Sequence, residues 1–254
     1  MKKLLSLIVI LLFSAVVFAS VEDARLKWLD AKEKSLELRQ EWQEAQRLVA
    51  ANNTPENTAN VIEKAKASLN SGLDEAVAFF EFHKEKLTNE DISSDLKSTI
   101  ESDINKNIDI ANGLKNDVDA IKTRAEVGIV SLNIIDAYLN LLVDIMRDSG
   151  LVYVEKANLR VGKLEEWRDK LNEKIALAPE DKKAELNRLM DDLNKNLDYA
   201  KQEINDAETK YRSITKKEGS GIAFAEGNTL IMKSRSHMVL AFEDMKLIVK
   251  KLRE

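Results

Sequence analysis

Apolar residues recur in alternating steps of three and four along most of this 254-residue chain. That spacing places their side chains on one stripe of a helix, where they can pack against a neighbouring helix. The run with no missed step is Leu186, Met190, Leu193, Leu197, Ala200, Ile204, Ala207, Tyr211 and Ile214. Only 8 glycines and 2 prolines interrupt the chain, so the sequence predicts an all-α fold.

Turn signals divide the chain into long helices. Thr54 and Pro55 suit a helix start, and a second start is expected at Pro179. Helices of about 30 residues are roughly 45 Å long, and short turns make neighbouring helices antiparallel. The sequence therefore predicts an elongated antiparallel up-and-down bundle. Gly219 to Gly221 is the one flexible joint expected in it.

The segment at residues 103–109 recurs, with conservative changes, at residues 192–198. Each copy follows a helix-start signal at a similar distance, which indicates a duplicated helical hairpin. We expect hairpins at about 56–148 and 151–253, inside a single elongated domain at residues 20–254.

Residues 1–19 have the composition of a signal peptide. Lys2 and Lys3 precede an apolar run, and Val17 and Ala19 are the small residues expected before a cleavage site. An uncleaved anchor is the alternative, and both predict an extracytoplasmic protein. The chain has no cysteine, which excludes disulfides and thiol catalysis. Asn52 begins an acceptor sequon in a predicted loop, so glycosylation there is a further expectation.

The first helix carries a heptad stripe, here called the first-helix seam: Val21, Ala24, Trp28, Ala31, Ser35, Leu38, Trp42, Ala45 and Val49. Internal packing is the simplest role for its tryptophans, and an aromatic ligand cage is an alternative. A third hypothesis is that Trp28, Leu38 and Trp42 form an interaction seam for a partner helix.

Residues 127–146 are the most apolar part of the chain after residue 20, with only a narrow polar stripe. We expect this segment to be a core helix covered on several sides, with Gly128 and Gly150 near its two ends. A membrane span is the alternative, at the cost of burying two carboxylates in the bilayer. Residues 89–148 could form one bent helix or two. A candidate face for an apolar ligand comprises Ile135, Tyr138, Leu139 and Leu142.

The sequence contains only weak motifs for metal binding or catalysis. The spacing that begins at Asp103 opens like a calcium loop, but Ile108 stands where such a loop needs glycine. His83 falls on an apolar stripe, where a hydrogen-bonded histidine at the edge of the core is expected. We therefore predict no catalytic, cofactor or metal residues. The net charge of −5, without a basic block, argues against a nucleic-acid partner.

The segments at residues 30–39, 154–157 and 164–167 resemble secreted, helix-rich, coiled-coil-like proteins of uncultured archaea. Those proteins are uncharacterised, so the resemblance implies an exported helical protein and no activity.

Two hypotheses for function follow. The first is an exported, non-enzymatic helical scaffold or protein-interaction module of the cell envelope, with a protein partner or self-association. The second is an extracytoplasmic carrier or chaperone that binds a lipid or another apolar ligand through residues 127–146. Membrane contact is expected only through an uncleaved signal or this apolar helix.

Overall fold

The computed structural model describes the backbone of residues 2–254 and the side chains of residues 20–254. The predicted signal peptide at residues 1–19 lies outside the residues with described side chains. The all-α prediction is confirmed, since the described backbone contains helices and turns and no strand. The six helices are α1 (Lys2–Ala51), α2 (Pro55–Thr88), α3 (Ser94–Ala120), α4 (Arg124–Ala176), α5 (Glu180–Arg212) and α6 (Ser220–Arg253).

Local side chains account for several helix starts. Thr54 Oγ1 accepts a hydrogen bond from the backbone N–H of Asn57 at 3.2 Å, and Pro55 occupies the first turn of α2, as predicted. Thr123 and Glu126 cap α4 reciprocally. The Glu126 carboxylate accepts from the Thr123 N–H at 3.0 Å, and Thr123 Oγ1 accepts from the Glu126 N–H at 3.2 Å. With this cap, α4 begins as a separate helix and is not a continuation of α3.

The chain divides into two compact units, rather than the single domain expected at residues 20–254. Unit 1 comprises the residues up to Glu90 together with Lys97–Leu142, and unit 2 comprises Asp91–Leu96 together with Val143–Glu254. The division falls inside α4 and does not follow the expected hairpins at 56–148 and 151–253.

Unit 1 contains α1, α2, most of α3 and the first part of α4. The ion pair Glu41–Lys64, at 2.7 Å, and the contact of Trp28 with Phe82 show that α2 runs antiparallel to α1. The ion pair Asp74–Lys115, also 2.7 Å, and the hydrogen bond from Lys84 to Asn105 show that α2 runs antiparallel to α3. Every position of the first-helix seam is buried or partly buried, which confirms the predicted stripe. The core contains Ala65, Leu73, Ala111, Val118, Ile121 and Val127, with Trp42 packed against it.

Unit 2 is built from the rest of α4, with α5 and α6. The predicted stripe of α5 is buried along its whole length and forms the centre of this core. Gly150 and Gly227 both lie against the ring of the fully buried Tyr211. The joint at Gly219 is the turn before α6, and Gly219 has a left-handed φ of 78° that favours glycine.

Of the two alternatives left open for residues 89–148, the structure has two helices, α3 and α4, separated at residues 121–123. Two further expectations about this region need correction. Gly128 and Gly150 do not mark helix ends, because both lie inside α4. Residues 127–146 are not covered on several sides: Ile129, Leu132 and Ile135 are 60%, 68% and 55% exposed.

Candidate functional site

Unit 1 contains a cavity of about 680 Å³ between its four helices. Most of its lining is apolar and comes from all four. The apolar lining residues are Trp28, Trp42, Leu69, Leu73, Ala76, Phe79, Ala111, Leu114, Ile134, Ile135, Ala137, Tyr138, Leu139 and Leu141. Gly72 also lines the cavity, and the space where its side chain would stand is open.

The cavity brings together residues from two separate hypotheses. Trp28 and Trp42, from the candidate interaction seam, line the same space as Ile135, Tyr138 and Leu139, from the candidate ligand face. The remaining two candidates, Leu38 and Leu142, are partly buried and do not line it. The tryptophans and the apolar side of α4 thus belong to one site.

One end of the cavity has an aromatic wall. The Trp28 ring stacks on Phe82, with centroids 5.6 Å apart and an interplanar angle of 8°. Phe79 lies 5.4 Å from Trp28 in a tilted arrangement. Lys32 Nζ stands 5.6 Å from the centre of the Trp28 ring, within the range of a cation–π contact. The wall is therefore aromatic, with the cation of Lys32 beside the Trp28 ring.

Two buried polar atoms at the cavity have no hydrogen-bond partner: Trp28 Nε1 and Ser131 Oγ. An unsatisfied buried donor or acceptor costs about 1–3 kcal/mol. Both residues line the cavity through other atoms, whereas these two polar atoms are themselves buried away from solvent.

Three charged residues line the cavity: Lys32, Arg39 and Glu75. Neither Lys32 nor Arg39 has a carboxylate within ion-pair distance among the described residues, and both are exposed. Burial, followed by the negative charge of Glu75, raises the pKa of Tyr138 above its ordinary value. The Tyr138 phenol therefore stays protonated and uncharged at neutral pH. With Lys32 and Arg39 positive and Glu75 negative, the cavity lining carries one net positive charge.

The side of α4 turned away from the core is apolar and exposed. Within the described residues, α4 is the one helix long and apolar enough to span a membrane, judged by length and composition only. Only 17% of its most apolar 18-residue window is buried. The apolar surplus predicted from the sequence is therefore present, but much of it is exposed and not part of a core.

His83 lies in α2 among aromatic rings. Its ring makes edge contacts with Phe79 and Phe82, at centroid distances of 4.3 and 5.5 Å. The expected hydrogen bond is not seen at Nδ1, which has no partner. Burial, with a smaller contribution from Lys86, lowers the pKa of His83 to about 4.

The other sequence candidates lie in regular helix. Residues 103–109 are inside α3 and residues 192–198 are inside α5, so neither forms a calcium loop. In the part of the chain with described side chains, no group of three or more acidic or histidine residues is arranged to hold a metal.

Sequence reasoning missed Lys32, Arg39, Glu75, Phe79 and Ser131 as cavity residues. Each lies on a helix among many similar residues, and the cavity joins positions up to about a hundred residues apart. No linear spacing connects them. Two signals were present, the apolar surplus at residues 127–146 and the tryptophans of the first-helix seam, and each identified part of the cavity lining.

Comparisons of the chain with protein-family models, with curated proteins and with solved structures gave no match.

Proposed function

We propose that the protein is an extracytoplasmic carrier that binds one elongated, acidic amphiphile, such as a long-chain fatty acid, in the cavity of unit 1. The observation that carries the proposal is the cavity itself, about 680 Å³ and mostly apolar. Pockets for small ligands commonly measure about 300–1,000 Å³ and combine an apolar lining with a few placed polar groups. The extracytoplasmic part rests on the signal-peptide composition of residues 1–19.

The polar groups favour an anionic head on that ligand. Arg39 and Lys32 offer cationic groups without carboxylate partners among the described residues. A carboxylate accepts from such donors, and charge-assisted hydrogen bonds are the stronger ones. Glu75 opposes a second negative charge, so a monoanion suits the cavity better than a dianion. The apolar chain would then lie along Ile135 and Leu139.

A fluorescent polyene fatty acid tests the proposal by titration into residues 20–254. Gly72→Leu places a side chain in the open space of the cavity, so we expect probe binding to weaken at least about tenfold. Helix stability should not fall, because leucine favours a helix over glycine by roughly 1 kcal/mol.

Gly113→Leu is the matched control. Gly113 also lies inside a helix with open space around it, but it is exposed and does not line the cavity. We expect the control to bind the probe like the unaltered chain. Equal binding by all three proteins, or no saturable binding by any, would overturn the proposal.

A scaffold or protein-interaction module is the second candidate. It is supported by the exposed apolar residues of α4, such as Ile129 and Leu132, which a partner protein or a second copy could cover. The two candidates differ in what they require. Association through this face depends on Leu132, whereas carriage of an amphiphile depends on the space beside Gly72.

A further inference from the structure

Unit 2 carries a separate groove of about 330 Å³ between α4 and α6. The two helices run in the same direction here, since Trp167 packs near Phe242 while Gly150 and Gly227 share the ring of Tyr211. The sides of the groove are formed by Arg160, Lys163, Trp167, Arg235, Val239 and Phe242. None of these residues lines the cavity of unit 1.

The charge of the groove is opposite to that of the whole chain. Arg160, Lys163 and Arg235 are exposed, and none has a carboxylate within ion-pair distance among the described residues. No acidic residue lines the groove. In a chain with a net charge of −5, three uncompensated cations around one groove form a local positive field.

The floor and walls of the groove are apolar. Leu164 and Met238 are buried beneath it, while Trp167 and Phe242 remain 48% and 39% exposed. The two rings lie 6.1 Å apart and join α4 to α6 across the groove. Exposed aromatic residues beside arginine are the residue types that most often dominate binding energy at protein interfaces.

We infer that this groove binds an amphipathic helix of a partner protein, with an apolar stripe flanked by acidic residues. A groove between two parallel helices accommodates a third helix, whose apolar residues at positions i, i+3, i+4 and i+7 would cover Trp167, Val239 and Phe242. Acidic residues on both flanks would then meet Arg160 and Lys163 on one side and Arg235 on the other. The groove has three cations, fewer than the clusters of about 4–8 Lys or Arg that typically bind anionic lipid, which disfavours an anionic membrane as the occupant.

The test uses a fluorescein-labelled synthetic helix of about three heptads, with a leucine stripe and glutamates on both flanks. Its binding to residues 20–254 is followed by fluorescence anisotropy. We expect saturable binding that weakens as salt rises, because the ionic contacts are screened. Replacing Arg160, Lys163 and Arg235 together by Glu should weaken binding at least about tenfold. The same triple replacement by Gln, which does not repel the peptide, should give a smaller loss.

Lys27→Glu, Lys34→Glu and Lys106→Glu together form the control. These lysines are exposed, carry no ion pair among the described residues and do not line the groove, and their replacement changes the net charge by the same amount. The control should bind the peptide like the unaltered chain. Trp167→Ala, which removes the central apolar contact, should weaken binding at least about tenfold.

Three results would overturn the inference. The first is absence of peptide binding. The second is equal weakening in the control, which would indicate attraction by net charge alone. The third is sedimentation with phosphatidylglycerol vesicles, lost on reversal of the groove cations, without peptide binding. That last result would identify an anionic lipid surface as the occupant.

Discussion

At the scale of single residues, glycines in α4 have opposite roles. A Cβ on Gly150 would come closer than 3.0 Å to the ring of Tyr211, whereas a Cβ on Gly162 would meet nothing within 4 Å. Tyr211 cannot move easily, since it is fully buried and its hydroxyl donates to Asn228 Oδ1 at 2.8 Å. Gly150 therefore permits close packing and does not end a helix.

Gly150→Ala should destabilise the protein by about 1–2 kcal/mol. The steric cost of overpacking, about 2–3 kcal/mol, exceeds the gain of about 1 kcal/mol in helix propensity. Gly162→Ala should instead stabilise it by up to about 1 kcal/mol. Urea unfolding of the two variants measures the difference. Equal stabilisation of both would contradict the packing of Gly150 against Tyr211.

His83 should make stability depend on pH. Its pKa is lowered from 6.5 to about 4 in the folded state, so the unfolded chain takes up the proton first as pH falls. The stability is fully present above pH 6.5, is lost as pH falls below it, and the loss is complete near pH 4. We expect a loss of about 1 kcal/mol between pH 7 and pH 5, allowing for the water that still reaches the ring.

His83→Phe supplies the comparison, because phenylalanine suits the contacts with Phe79 and Phe82 and does not titrate. Its unfolding free energy should change less between pH 7 and pH 5 than that of the unaltered chain, by about 1 kcal/mol. His237→Gln should retain the dependence. Identical pH profiles for His83→Phe and the unaltered chain would show that His83 is not protected from protonation by folding.

Residue types in the sequence predicted some of these roles. Thr54 and Pro55 were recognisable as a helix start because capping depends on neighbours in the chain. The roles of Gly150 and Arg39 were not recognisable. Gly150 packs against Tyr211, and Arg39 lines a cavity formed by four helices, so both roles depend on residues that are distant in sequence. A glycine in a helical pattern can mark a helix end, a close contact such as that of Gly150, or open space such as that at Gly162, and local sequence does not distinguish these cases.

At the scale of elements, α4 combines two kinds of surface on one helix. Leu132 is 68% exposed and Leu141 is 4% exposed, although both belong to the apolar stretch at residues 127–146. Apolarity over most of a helix predicts that it is covered. It does not indicate whether the cover comes from the same chain. The stripe was therefore predicted, while its exposure was not.

The two leucines provide a matched test within α4. Leu132→Ser should change the unfolding free energy by less than about 0.5 kcal/mol, because its side chain already meets solvent. Leu141→Ser should cost about 3 kcal/mol, because it removes a buried apolar group and buries a hydroxyl. Chemical unfolding measures both changes. A large loss in Leu132→Ser would mean that α4 is covered in solution.

Analytical ultracentrifugation of the same variants addresses the scaffold candidate. If copies of the chain associate through the exposed face of α4, Leu132→Ser should weaken that association while Gly72→Leu should not. Association that Leu132→Ser leaves unaltered would count against this face as the contact.

At the scale of the whole molecule, the sequence predicted the all-α class but not the division into two units. Helical stripes continue through residues 142 and 143, so no linker marks the boundary.

The distribution of charge in the folded molecule was also not predicted from the sequence. A net charge of −5 argues against anionic partners, yet it conceals the cations of Arg160, Lys163 and Arg235, which only folding brings together. The net charge of a chain does not predict a local surface patch of the opposite charge.

The most direct test of the central claim is native mass spectrometry of residues 20–254, purified from an exporting host and then loaded with a long-chain fatty acid. The proposed carrier predicts one added ligand mass per chain that organic solvent removes. Gly72→Leu should lack that mass and Gly113→Leu should keep it. A ligand-free mass for the loaded, unaltered chain, or the same added mass in both variants, would contradict the assignment of the unit 1 cavity as the binding site.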